Sequence, residues 1–365
     1  MTRILISLFL VLLTACTPRG TVTLDPAAAR VGQVEKIFIG TTRQQEQDGS
    51  FGSHRSEQVR FARYDISVPP ERKLGEINWP PRHGTANPKR HFLTTDQIVY
   101  QNDTLFRQDL RAQLSANGGE AVIFVHGYNN NFSEGLYRVA QFAHDLDLPG
   151  TVVHYAWPSA ANVAAYATDR EATLQARDDL EDLLTLLDQT NVTRIVVAGH
   201  SMGAFLVMEA LRQKAIRNRP GAFDKIQTVI LMAPDIDVGV FRRQARALAE
   251  KDVSIYIFTS ARDRALRFSA LLRGSGVRLG ALGDTAQIPD LPVTIIDLTA
   301  MNGNGDSLNH FKVATSPVMI SIFSGMSAFG TEILSDEARQ PGLIGSGVTV
   351  VQNTATVVLA PFGDP

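Results

Sequence analysis

The sequence predicts an α/β fold: a mostly parallel sheet with helices on both faces and antiparallel strands at its N-terminal edge. Two observations predict it. From residue 121 onward, short β-branched runs alternate with longer amphipathic stretches, a rhythm that calls for parallel strands joined by crossover helices. Before that point, two short apolar runs are separated by polar sequence with several Gly and Pro, as expected of edge strands and loops.

The elements follow in order. Residues 36–39 (KIFI) and 64–68 (YDISV) read as strands, the second stopped by Pro69 and Pro70. Residues 121–125 (AVIFV) form a continuous apolar run, as expected of a strand buried on both faces. A helix is predicted over 133–146, a strand over 151–155, and a long helix over 168–187 with Ala176, Leu180, Leu183, Leu184 and Leu187 on one stripe. Next come a strand at 194–198, a helix at 203–216, a strand at 226–231, a helix at 240–248, and strands at 253–258 and 293–297, with a helix from about residue 316. Residues 348–360 are β-branched on either side of Gln352-Asn353-Thr354 and read as a hairpin beyond the catalytic core. The 365 residues, 44% hydrophobic and 20% charged, supply material for a large core. A net charge of −2 gives no footprint for nucleic acid.

The amino terminus carries an address. Met1-Thr2-Arg3 is short and basic, and residues 4–13 are apolar apart from Ser7, the pattern of a signal peptide too short to span a membrane. Leu13-Thr14-Ala15-Cys16 resembles the lipobox of bacterial lipoproteins, in which cleavage precedes a cysteine that carries lipid. Cys16 is the chain's single cysteine, so no intramolecular disulfide or thiolate metal cluster can form. The expected organisation is a signal peptide over 1–15, a lipidated tether over 16–33, an α/β domain over 34–330 and an extension over 331–365. Thr17 rather than Asp after the cysteine implies an outer-membrane anchor facing the periplasm.

Ligands in such sheets sit at the carboxyl ends of the strands, and the chemistry-bearing residues gather there. Directly after the strand at 194–198 comes Gly199-His200-Ser201-Met202-Gly203, with a helix following. This is G-x-S-x-G in strand–turn–helix context, a nucleophile elbow that exposes the Ser201 hydroxyl at the positive end of a helix. After the strand at 121–125, His126-Gly127-Tyr128 begins the loop expected to complete an oxyanion hole, so the backbone amides of Met202 and Tyr128 are assigned to it. In this arrangement the chain order is Ser, acid, His. Of eight histidines only His310 follows Ser201, making it the expected base. Asp263, after the strand at 253–258, is the preferred acid, and Asp235, after the strand at 226–231, the alternative. Asp235 and Asp237 otherwise line the site or cap the next helix. Trp157, Tyr128 and Tyr166 read either as an apolar wall of the site or as core packing. No residue pattern calls for a metal or an organic cofactor.

Together these residues resemble a bacterial family within the α/β-hydrolase superfamily. The resemblance rests on His126 to Asn130 (HGYNN), Trp157-Pro158-Ser159, Gly199 to Gly203 (GHSMG), Tyr166, Asp169, the PDID stretch ending at Asp237, residues 260–266 (SARDRAL) and Arg278-Leu279-Gly280. It covers about residues 36–324. The family's final segment often reads G-H-S, where this chain has Leu308-Asn309-His310. The resemblance implies an esterase- or lipase-like fold. The expected activity is hydrolysis of an uncharged or weakly charged carboxylic ester through an acyl-enzyme, with membrane attachment through Cys16. The same machinery acting on amides or thioesters, and a non-catalytic lipoprotein scaffold, are the alternatives.

Overall fold

The computed structural model describes residues 19–47, 49–272, 276–282, 288–300, 344–351 and 354–361. His310 and the helix expected from about residue 316 lie outside the described residues.

Among the described residues, eleven strands form one sheet: β1 (Gln33–Gln45), β2 (Phe51–Val68), β3 (Leu93–Tyr100), β4 (Glu120–Val125), β5 (Thr151–Ala156), β6 (Arg194–His200), β7 (Ile226–Met232), β8 (Ser254–Thr259), β9 (Val293–Asp297), β10 (Ile344–Val351) and β11 (Thr354–Pro361). Their spatial order is β3-β2-β1-β5-β4-β6-β7-β8-β9-β11-β10. The run from β1 through β5, β4, β6, β7, β8 and β9 to β11 is parallel. The pairs β1–β2 and β2–β3 are antiparallel and form the N-terminal edge, as the sequence predicts. At the other edge, β10 and β11 pair as a hairpin whose second strand continues the sheet beside β9.

The described helices are α1 (Asp103–Ala116), α2 (Phe132–Asp145), α3 (Tyr166–Asp188), α4 (Met202–Arg217), α5 (Val238–Leu248) and α6 (Arg264–Leu272). They divide between the faces. Ala121, Ile123 and Val125 of β4 join the core that holds α1, α3, α4 and α5, while Phe124 points to the core under α2. That alternation along a run with no polar gap is the signature of a strand covered on both sides. Helix α1 was not expected, yet Phe106, Leu110 and Leu114 recur at four-residue spacing and are fully buried. Asn102 starts it by accepting the Leu105 N–H at 3.0 Å. Helix α2 opens with a reciprocal capping box between Asn131 and Glu134.

Within the stretch expected as a tether over 16–33, the described residues from Arg19 onward pack against the domain. The Arg19 guanidinium donates to the Asn129 carbonyl and its Oδ1, both at 3.0 Å, and Asn131 Nδ2 donates to the Gly20 carbonyl at 2.9 Å. Gly20 lies so close to the Trp79 ring that a Cβ there would sit 2.3 Å from it. Farther on, Asp25 N–H donates to the Thr94 carbonyl and Thr94 N–H to the Thr23 carbonyl. Asp25 then caps a 3₁₀ turn at Pro26–Arg30. The partners that fix this stretch come from distant loops, which its Pro-, Ala- and Thr-rich composition does not announce.

Candidate active site

Strand β6 runs through the middle of the parallel region, and its carboxyl end turns directly into α4. Ser201 sits at that turn with φ 54° and ψ −117°, a region that an L-residue occupies only under strain and only where the surroundings impose it. Two glycines make the turn possible. A Cβ on Gly199 would lie 2.7 Å from Ala204 Cα, and one on Gly203 would lie 2.3 Å from the His126 carbonyl oxygen. Serine at a helix start ordinarily spends its hydroxyl on a cap; Ser201 makes no such side-chain bond. Its backbone is pinned instead, the N–H donating to the Met232 carbonyl at 2.9 Å and the carbonyl accepting from Asp235 N–H at 3.1 Å.

The loop from β4 to α2 approaches Ser201 from the other side. A Cβ on Gly127 would lie 3.0 Å from Ser201 Cβ, so the backbone leading into Tyr128 runs against Ser201. Several buried groups hold this loop. Fully buried Arg43, from β1, donates to the carbonyls of Asn130 (3.0 Å), Gly52 (2.9 Å) and Ser159 (3.3 Å). The Ser159 hydroxyl donates to Asp169 at 2.6 Å and accepts from Asn130 N–H at 3.3 Å. Asn130 Nδ2 in turn bonds the Gly127 and Tyr128 carbonyls. Burial raises the Asp169 carboxyl above its ordinary range, against the bonds from Ser159 and Ala160 that lower it. Burial pulls Arg43 down to about 9, against the charges of Asp169 and Glu134. Ser159 and Asp169 were visible as parts of motifs; Arg43 was not, because an arginine among polar residues carries no local signal of burial.

Trp157 is fully buried and stacks on the His126 ring at 5.1 Å, its indole N–H donating to the His126 carbonyl at 2.7 Å. Trp157 is therefore core and not part of the site wall. Burial pushes the His126 imidazole well below its usual range, with Arg43 and His154 adding to the effect, and burial likewise holds His154 down at about 3.

The two acid candidates stand in different surroundings. Asp263, fully buried at the head of α6, accepts the Leu266 N–H at 2.9 Å. Asp235 is engaged on both oxygens, accepting from the Tyr166 hydroxyl at 2.6 Å and the Ser269 hydroxyl at 2.7 Å. Arg278 lies 3.3 Å away through Nε, an ion pair whose angle does not make a hydrogen bond. Burial first, and then the Asp235 charge, raises the Tyr166 phenol. Asp237 caps α5, accepting from Gly239 and Val240. The Arg278-Leu279-Gly280 stretch docks along this loop, Leu279 N–H donating to the Ile236 carbonyl and Gly280 N–H to the Pro234 carbonyl. A Cβ on Gly280 would lie 2.5 Å from the Ala233 carbonyl carbon. The two motifs are thus one interlocked unit, and Arg278 is the partner of Asp235 that sequence reasoning missed.

Ser201 and Asp235 open into a cavity of about 540 Å³, walled by Tyr128, Tyr166, Trp79, Val163 and Phe268, with Arg19, Arg138, Arg264 and Glu134 contributing charge. Among the described residues no histidine lines it. Nor do three or more His, Cys, Asp or Glu residues gather anywhere among them to hold a metal.

The family model for an "Alpha/beta hydrolase of unknown function (DUF900)" matches residues 102–326. The chain belongs to this family. Its sheet order, crossover helices and elbow are those of an α/β hydrolase. No curated protein matches the chain. Among solved structures the chain is similar to fungal esterases from Rhizomucor miehei, with 15% identity over 86% of this chain and 88% of that chain and a TM-score of 0.40. It is similar to an esterase from Pyrobaculum calidifontis at 13% identity over 86% of this chain and 90% of that chain, with a TM-score of 0.36. It is also similar to Aspergillus fumigatus lipase B at 14% identity, TM-score 0.37, covering 63% of this chain and spanning 58% of that one.

Proposed function

We propose that this α/β hydrolase is a serine esterase that cleaves carboxylic esters through an acyl-enzyme. The observation that carries the reading is Ser201: a strained nucleophile elbow at the head of α4, its hydroxyl not used for capping, opening into a largely apolar cavity. In the proposed route Ser201 Oγ attacks the ester carbonyl carbon while His310 takes the hydroxyl proton. The backbone amides of Met202 and Tyr128 receive the oxyanion. Collapse expels the alcohol, which leaves with the proton from His310, and water repeats the sequence to release the acid. Asp263 holds the His310 ring in the required tautomer. His126 and His154 are buried and held neutral, and none of the described histidines faces the cavity, which supports assigning this role to His310.

The test is steady-state hydrolysis by the mature chain of matched p-nitrophenyl acyl esters, thioesters, anilides and a bis-p-nitrophenyl phosphodiester. Esters are expected to turn over fastest, with Ser201→Ala and His310→Ala inactive. A faster phosphodiester, or an active Ser201→Ala enzyme, overturns the proposal. Cys16 is proposed to carry the lipid anchor, on the support of the lipobox-like Leu13 to Cys16. Cys16→Ser is then expected to abolish lipid labelling and processing, and normal membrane retention of that variant refutes it.

A further inference from the structure

The Ser201 cavity has an unusual mouth. Val163 is 64% exposed and Phe268 59% exposed, and both line it. Leu271, 78% exposed, lies three residues beyond Phe268 on the same helix, while Leu266 and Ser269 of that helix face inward. Scattered exposed apolar residues need no explanation, but these cluster at one opening. Arg264 and Arg267 are exposed on the same short helix, while Asp263 at its head and Asp235, which bonds its Ser269, are both buried. A helix that presents apolar side chains beside arginines is built to lie in the headgroup region of an anionic membrane.

The position of the amino terminus is an independent observation. Arg19 lines this cavity and is fixed there by Asn129 and an ion pair to Glu134. Cys16 precedes it by three residues, a reach of at most about 11 Å. A lipid on Cys16 would hold the cavity mouth at the bilayer surface and not at the end of a long leash.

From these we infer that the rim formed by Val163, Phe268 and Leu271 seats in the same membrane leaflet that holds the Cys16 lipid, so that acyl esters enter the cavity directly from that leaflet. This rests on the esterase and lipid-anchor readings above, and it commits the rim to a lipid surface and not to a protein partner. It predicts a fixed orientation: the carboxyl ends of the strands face the bilayer, and the far end of α4, about 24 Å from the elbow, faces away from it.

The test uses the full-length lipidated protein in vesicles of phosphatidylethanolamine and phosphatidylglycerol. Leu271→Cys, and separately Ile216→Cys near the far end of α4, are labelled with an environment-sensitive fluorophore, and brominated lipids are used as quenchers. The probe at position 271 is expected to lose most of its emission and the probe at 216 to keep it. In parallel, Leu271→Asp is expected to lower the ratio of vesicle-embedded to soluble ester turnover by roughly tenfold or more. Equal quenching at both positions, or none at 271 on protein whose Cys16 is acylated by mass spectrometry, overturns the inference and leaves the rim to a protein occupant. Absence of acyl groups on Cys16 overturns the anchor and this inference with it. Quenching as expected with an unreactive Ser201 leaves the seating standing and removes the esterase reading.

Discussion

Replacing each acid by its amide separates the two carboxylates that follow β7 and β8. In Asp235→Asn the shape is kept and the charge removed. Arg278, 2% exposed and paired with an Asp235 carboxylate that is 3% exposed, is left as a buried cation without its counter-charge. Breaking a buried pair from one side costs about 3–5 kcal/mol. The new amide N–H₂ also faces the hydroxyl of either Tyr166 or Ser269, so one of two short bonds is lost or reversed. With melting temperature moving roughly 2–4 °C per kcal/mol in domains of this class, a fall of about 10 °C is expected. Turnover measured well below the new midpoint should stay within about tenfold of wild type, because the proposed orienting acid is Asp263. Asp263→Asn should do the opposite. Asparagine still offers an oxygen to the Leu266 N–H, so the cap survives and the melting temperature changes little. The wrong imidazole tautomer should lower kcat by about 10⁴, the loss measured for the same change in a serine protease triad. Both variants are to be compared by thermal melt and by kcat on one p-nitrophenyl ester. An Asp235→Asn enzyme that melts like wild type and loses activity about 10⁴-fold, beside an Asp263→Asn enzyme that stays active, would refute the assignment.

Two further outcomes follow from the geometry. Gly203→Ala places a Cβ 2.3 Å from the His126 carbonyl and 2.4 Å from that of Val125; since both are backbone, the loop proposed to hold the oxyanion must move, and kcat should fall by about 10²-fold with a loss of roughly 1–3 kcal/mol in stability. An alanine enzyme with unchanged kcat and melting temperature would contradict the proposed close approach. Burial holds the His154 imidazole down at about 3, against an unfolded value near 6.5. A depressed folded value means that the unfolded chain binds the proton first, so this contribution is full above pH ~6.5 and shrinks as pH falls toward 3. His154→Gln should therefore narrow the stability difference between pH 7 and pH 5 by about 2 kcal/mol in urea titrations, and an unchanged difference would show that the ring is not buried neutral.

The parts of this site that were legible in the sequence are those whose signal is local. The elbow needs a strand, two glycines and a helix in immediate succession, and β6, Gly199, Gly203 and α4 are contiguous. The parallel strands were legible because burial on both faces removes polar residues from runs such as 121–125. Helix α1 had the same kind of signal in Phe106, Leu110 and Leu114 and an Asn102 cap, but it follows directly on polar sequence that masked its start. What could not be read is long-range. Arg43 sits 87 residues before the Asn130 carbonyl it holds. Asp235 takes its partners from Tyr166 on α3, Ser269 on α6 and Arg278 beyond it, none of them near it in the sequence. The docking of Arg19 and Gly20 likewise depends on Trp79, Asn129 and Asn131, which nothing in the first thirty-three residues announces.

The most direct measurement of the central claim is covalent trapping of the nucleophile. Mature protein is incubated with a fluorophosphonate, digested, and the adduct located by peptide mass spectrometry. One phosphonyl group is expected on Ser201, in the peptide that carries His200 and Met202, and none on Ser201→Ala, because an activated serine beside an oxyanion hole attacks the phosphorus and expels fluoride. Folded wild-type protein that takes up no label, or a Ser201→Ala variant that labels equally, would contradict the account.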